Sequence, residues 1–304
     1  MKDYITREVR IKYRSAISKG YLVGYGPEWR RTFVGAFLTK YPKRSIIIKY
    51  LEDAVGHLPK WKDITDWHLQ DFVIILNDNM CQSSVRTSCN MLKSVINANI
   101  GEVKIPSQNY AKILSVKKEP SQAVFLNEDE INMIDSYVPE NDKERCVKRI
   151  FMIEALTGAR HSDAERLGLE NIDKTSGELT YVPIKTTGCV IHLPVHKMLL
   201  KYLTEERSTT DLGTFNRVLR EICHKCGITE KTAIFRRGEN TTGEKWEYVS
   251  SHTGRRSFAT NLFLRDNSDI STIQRFMGHS DPKITWGYIC GEKKPSNEIM
   301  NFFN

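Results

Sequence analysis

Apolar residues recur at helical spacing along most of this chain, and one stretch near the middle switches to strand-like alternation. Within 63–78 (DITDWHLQDFVIILND) the opening polar residues suit a helix cap. Trp67, Leu69, Phe72, Val73, Ile75 and Leu76 predict one buried stripe. The segment 83–101 repeats the pattern with Val85, Cys89, Leu92, Val95 and Ile96, and stops at Gly101. Its other face carries Arg86 and Lys93, which helical spacing alone leaves in solvent, with contact to nucleic-acid phosphates as the alternative.

Residues 102–125 hold two prolines, several lysines and no sustained period, and predict an extended linker. Asn127 followed by Glu128 and Glu130 then starts a new helix, so a second domain begins near residue 124. In it, ERCVKRIFMIEALTG predicts a largely buried helix. The β-prone runs Leu179–Ile184 and Val190–Val195, flanking Lys185-Thr186-Thr187-Gly188, predict a hairpin. Helices resume at His196–Glu205, Thr214–Cys226, His252–Leu264, Ile270–Met277 and around Lys283–Trp286. The expected organisation is a basic extension over 1–23, a helical domain over 24–101, a linker over 102–123, a second domain over 124–290, and a tail over 291–304. The extension is too short for an added DNA-arm domain. It suits one amphipathic helix with Ile5, Val9, Tyr13, Ala16 and Ile17 on one side.

Composition narrows the function. Among 304 residues, 45 Lys and Arg face 37 Asp and Glu, a formal charge of +8 that suits a polyanionic partner. No run of about 18 apolar residues predicts a membrane span, and the N-terminus lacks the apolar core of a secretory signal. A cytoplasmic, nucleoid-associated protein without membrane contact is expected. Seven scattered cysteines argue for reduced thiols. Cys223-His224-Lys225-Cys226 has zinc-like spacing but no second pair. It closes the pattern Phe215, Val218, Leu219, Ile222 and runs into Gly227, so a helix end is expected there, with no metal.

Three segments carry a resemblance: ALTGARHSDAERLGLENID, SSHTGRRSFATNLFL and FMGHSDPKITWGYI. They are similar to the boxes of the tyrosine recombinase (phage integrase) family, in the form seen among mobile-element integrases. The match spans the second domain, and the helical first domain with its linker is similar to the family's core-binding domain. The resemblance implies a mainly α fold with a small β-hairpin, in two domains. It also implies catalytic roles for Arg160, Lys185, His252, Arg255, His279 and Tyr288, with Asp163 in support. His279 and Tyr288 lie nine residues apart, as the family pattern asks. Arg256 and Gly254 depart from the commoner histidine and leucine. Lys185 stands one residue further from Gly188 than a Lys-Thr-Gly turn would place it.

The residue types fit the chemistry. Attack on an anionic phosphodiester gathers charge on its free oxygens, and guanidiniums bind such oxygens bidentately at any working pH. Arg160 and Arg255 fit that clamp, with His279 as a further hydrogen-bond donor. A phenol with an ordinary pKa near 10 needs a base, for which His252 is placed, and the leaving 5′-oxygen needs an acid, for which Lys185 is placed. Asp163 is placed to steady the site's basic side chains. A 3′-phosphotyrosine stores the bond energy, so no cofactor is expected. The partners expected are double-stranded DNA with inverted-repeat core sites, three further copies in a homotetramer, and accessory DNA-bending factors. Integration or excision of a mobile element ranks ahead of inversion. A type IB topoisomerase-like enzyme and a non-catalytic DNA-binding regulator are the alternatives. In the tail, Ile299, Met300, Phe302 and Phe303 suggest docking on an adjacent protomer.

Overall fold

A computed structural model describes residues 6–22, 24, 26–118, 123–186, 188–236, 239–265 and 269–290. The chain divides into two compact units, Met1–Ser121 with Phe235–Glu239, and Gln122–Ile234 with Asn240–Asn304. The fold is mainly α. The expected tail and its apolar residues lie outside the described residues.

The first unit holds α1 (Arg7–Ser18), α2 (Pro27–Arg31), α3 (Phe33–Lys40), α4 (Ser45–Val55), α5 (Asp66–Asn79), α6 (Gln82–Asn99) and α7 (Tyr110–Ile113). The helix α6 buries Val85, Cys89, Leu92, Val95 and Ile96, the full stripe its spacing predicts. The stripe of α5 is narrower than expected. Leu69, Phe72 and Leu76 are buried, while Trp67 is 77% exposed. A residue two positions from Leu69 points about 200° around a helix, away from the core.

Two sequence expectations need correcting here. Residues 6–22 form no separate extension, because Val9, Tyr13 and Ala16 of α1 enter the same core as Phe33, Phe37 and Leu92. Nor is 102–123 extended throughout. Asp66 accepts hydrogen bonds from Ser107 and from the Asn109 side chain (2.7 Å), which folds the segment back into α7 and buries Leu114. Composition hid this, since the ordering comes from a carboxylate more than 40 positions away.

The second unit holds α8 (Glu128–Ser136), α9 (Asp142–Thr157), α10 (His161–Ala164), β1 (Glu178–Tyr181), β2 (Ile191–Pro194), α11 (Lys197–Thr204) and α12 (Leu212–Lys225). It continues with β3 (Lys231–Arg236) through Ile234, β4 (Glu239–Glu244) from Asn240, α13 (Ser251–Leu264), α14 (Ile270–Met277) and α15 (Pro282–Trp286). At its centre lies α9, whose Ile150, Phe151, Met152 and Ile153 are buried in succession. A helix apolar on all sides is stable only when other elements surround it, and α11, α12 and α13 all pack against α9. Strands β1 and β2 pair antiparallel, with Leu179 opposite Leu193 and Tyr181 opposite Ile191, all four facing inward. They are shorter than the β-prone runs, and Pro183, which has no N–H to donate, stands just beyond β1. The pair β3–β4 forms a second small sheet that hydrophobic alternation did not reveal, since β4 (ENTTGE) carries no apolar side chain. Cys226 ends α12 ahead of left-handed Gly227, and Cys223 is buried in the core.

Candidate active site

Thr157-Gly158-Ala159-Arg160 turns the chain sharply at the end of α9. Gly158 takes a left-handed conformation (φ 69°), and a Cβ there would lie 2.5 Å from the Phe258 ring, so only glycine fits. The turn sets Arg160 at the cap of α10 and points the Gly158 carbonyl at α13, where Arg255 donates to it.

Arg255 is the most constrained charged group of the site, 2% exposed. Burying a guanidinium is costly unless its donors are matched. Besides Gly158, it donates to the Met277 carbonyl at 2.7 Å and to His279 Nε2 at 2.6 Å. Arginine only donates, so His279 Nε2 accepts, and the ring proton sits on Nδ1, 3.0 Å from the Thr285 hydroxyl oxygen. Burial, then the charges of Arg255 and Arg160, hold His279 down at about 4. His279 is therefore a neutral ring that holds the arginine. The expected role as a hydrogen-bond donor to phosphate is not what this arrangement shows, because Nε2 is already engaged.

Tyr288 sits on this cluster. Its ring stacks on His279 at 5.3 Å between centroids, with an interplanar angle of 26°. The guanidinium carbons of Arg255 and Arg256 lie 5.2 and 5.9 Å from its centroid. Thr260 of α13 fixes the backbone around it: its hydroxyl donates to the Tyr288 carbonyl (3.3 Å) and accepts from the Cys290 amide (3.1 Å).

His252 opens α13 and keeps contact with solvent, unlike Arg255 one turn on. The protein packed around its ring, then the charges of Arg256, Arg255, Lys185 and Arg160, lower its pKa, so it is neutral and ready to accept a proton near pH 7. Lys185 is exposed in the loop between β1 and β2, at the rim of the site. Asp163, 2% exposed, does not bind the site's arginines Arg160 or Arg255. It accepts the Ile184 amide at 2.9 Å and approaches Arg166 at 3.6 Å, so it anchors the chain just before Lys185.

The structure thus brings Arg160, His252, Arg255, His279 and Tyr288 together, with Lys185 at their edge. Arg86 and Lys93 lie in the first unit. Arg86 is exposed, but Lys93 donates to the Ala111 carbonyl at 2.9 Å and fastens the segment after α6, which weakens its assignment to DNA. Sequence reasoning missed Tyr181, whose phenol is buried beside Arg255, Asp163 and Arg160, and it missed Thr285 and Thr260. Only the inward phase of β1 could have flagged Tyr181. Arg256, which the sequence marks only as a departure from the commoner histidine, lies over the Tyr288 ring.

The family model for the phage integrase family matches residues 124–294. The chain belongs to that family. It is accordingly a tyrosine recombinase, an enzyme that breaks and rejoins DNA. Tyrosine recombinase XerC of Natranaerobius thermophilus is 24% identical over 260 residues, covering 81% of this chain and 85% of that one. The fold is also that of two solved integrases. A lambda integrase tetramer bound to a Holliday junction shares 17% identity with a TM-score of 0.60, over 97% of this chain and 90% of that one. The Tn1549 transposon integrase with transposon right end DNA shares 13% identity with a TM-score of 0.60, over 97% and 99%.

Proposed function

We propose that this recombinase cuts DNA with Tyr288 as the nucleophile and keeps the broken strand as a 3′-phosphotyrosine. Arg160 and Arg255 clamp the scissile phosphate, and His252 takes the phenol proton as the Tyr288 oxygen attacks phosphorus. Lys185 protonates the departing 5′-oxygen, leaving a free 5′-hydroxyl. Attack of a 5′-hydroxyl from the partner strand reverses these steps and releases Tyr288. His279 keeps Arg255 aimed, and Asp163 holds the Lys185 loop. The observation that carries this reading is the Tyr288 ring lying on His279 and within 6 Å of two guanidiniums. Positive charge already in place where anionic oxygens gather is usually the largest catalytic contribution.

The domain roles follow the same reading. The first unit binds the core site, with Arg86 on the phosphates, and the second performs the chemistry. The substrate is double-stranded DNA with inverted-repeat core sites, engaged by four copies of the chain, with accessory bending factors as further partners. The lambda integrase tetramer on a Holliday junction supports that assembly. The fold shared with a transposon integrase supports integration or excision of a mobile element ahead of inversion. We place the protein in the cytoplasm with the nucleoid, and the tail in contact with a neighbouring copy.

The test starts by selecting cleavable duplexes from DNA flanking the gene and from a randomised pool, by covalent trapping. A selected duplex nicked near the crossover should give an SDS-resistant adduct with the wild type and none with Tyr288→Phe. An adduct that survives the substitution overturns the mechanism.

A further inference from the structure

One acidic side chain of the second unit is fully buried and takes no part in the chemistry above. Glu154 lies in α9, one turn before Gly158, and is 0% exposed. Its Oε1 is 3.0 Å from His161 Nδ1, while its Oε2 has no hydrogen-bond partner. The opposite edge of His161 lies 3.5 Å from Glu165, and its ring packs edge-on against Phe215 at 4.4 Å. A carboxyl kept in such a place without full satisfaction is expensive, and apolar residues surround it in the sequence.

What Glu154 touches explains its presence. His161 directly follows Arg160. On the far side, Gly254 directly precedes Arg255, and a Cβ at Gly254 would fall 2.7 Å from the Glu154 Cβ and 3.0 Å from Oε2. The glycine therefore leaves the room that the Glu154 side chain fills. The Glu154 carbonyl also accepts the Gly158 amide at 2.9 Å, and the Gly158 carbonyl accepts from Arg255. The Glu154 side chain thus meets the His161 ring beside Arg160 on one side and lies against Gly254 beside Arg255 on the other, while Asp163 is occupied under the Lys185 loop.

We propose that Glu154, hydrogen-bonded to His161 and seated against Gly254, is a positioning residue that sets the spacing of Arg160 and Arg255 for the scissile phosphate. It acts through the backbone, since Arg255 donates to Gly158, Met277 and His279 and makes no hydrogen bond to Glu154, while its Nε keeps no protein partner among the described residues. The protonation of the pair suits a lasting hydrogen bond. Burial, opposed by His161, pushes the Glu154 carboxyl up to about 8. His161 is raised despite its own burial, by Glu154 and Glu165. Both shifts keep a proton between Oε1 and Nδ1. The inference rests on the phosphate-clamp reading of the two arginines.

The test compares the trapped duplex with the same duplex carrying a methylphosphonate at the scissile position, which removes the charge the arginines bind. Displacing an aligned group by about 1 Å costs roughly 100-fold, so Glu154→Leu should slow single-turnover cleavage of the phosphate by about that factor. On the neutral linkage it should stay within about threefold of wild type, and DNA affinity should hardly change. Glu154→Gln keeps an acceptor for His161 and should cleave both duplexes near the wild-type rate. His161→Phe, a change at a partly exposed position, should repeat the phosphate-selective loss even if Glu154→Leu fails to fold. Equal slowing on both linkages, or wild-type rates on the phosphate in Glu154→Leu or His161→Phe, overturns the proposal. Arg255→Ala is the control for the parent reading: if the neutral linkage does not rescue it, the clamp itself is wrong.

Discussion

Replacing Asp163 with alanine should disarm Lys185 without touching it. The Asp163 carboxylate accepts the Ile184 amide at 2.9 Å, and its other charged neighbour, Arg166, stands off at 3.6 Å. A hydrogen bond to a charged acceptor contributes about 1.5–3 kcal/mol. At about 1.4 kcal/mol per tenfold, its loss lowers the share of docked Lys185 loops by roughly 10- to 100-fold. Ile184 is 47% exposed, so water replaces the lost acceptor and the lower end, about tenfold, is expected. Cleavage falls by that factor, well short of the roughly 100- to 10,000-fold that complete loss of a general acid would remove. The assay is single-turnover cleavage of a duplex with a normal linkage and of one with a 5′-bridging sulfur, whose departure needs no proton. Asp163→Ala should be slow on oxygen and restored on sulfur, and Asp163→Ala with Lys185→Ala should be no slower than Lys185→Ala alone. Multiplying losses in the double variant, or no rescue by sulfur, would refute the reasoning. Lys201 is not a substitute acid, because it is bound to Asp135 at 2.8 Å.

Thr285→Val deprives the His279 Nδ1 proton of its acceptor and should slow cleavage about tenfold at unchanged DNA affinity, with nitrogen NMR still showing the Nδ1–H tautomer that Arg255 fixes. Because the pKa values of His252 and His279 are both lowered, their neutral forms persist as the pH falls. The cleavage rate should thus stay level from pH 8 down through 6.5, and an inflection at or above 6.5 would count against His252 as the base. Gly254→Leu forces a side chain into the space of Glu154, so thermal melting should show the second unit destabilised by about 1–3 kcal/mol.

The set Arg160, Lys185, His252, Arg255, His279 and Tyr288 was picked out through the resemblance to the family's boxes, and its residue types agree with the chemistry. Helix positions were legible in the sequence itself: α6 and α14 need only their own period and caps. What stayed hidden depends on contacts distant in sequence. Nothing in RIFMIEALTG marks Glu154 as the partner of His161, and nothing near Asn109 announces the carboxylate of Asp66 that folds the linker. The role of His279 was hidden as well, since its tautomer is set by an arginine 24 positions earlier. Arg256 was underrated because its position, rather than its geometry, was compared with the family pattern.

The two hydrogen bonds of Thr260 have a mechanical meaning. They grip the main chain just after the Tyr288 side chain, at its own carbonyl and at the Cys290 amide, and tie it to the helix that also carries His252 and Arg255. The proposed nucleophile is thereby held by the same helix as its proposed base and one arm of its proposed clamp, so a displacement of Tyr288 from this position breaks two bonds to one threonine.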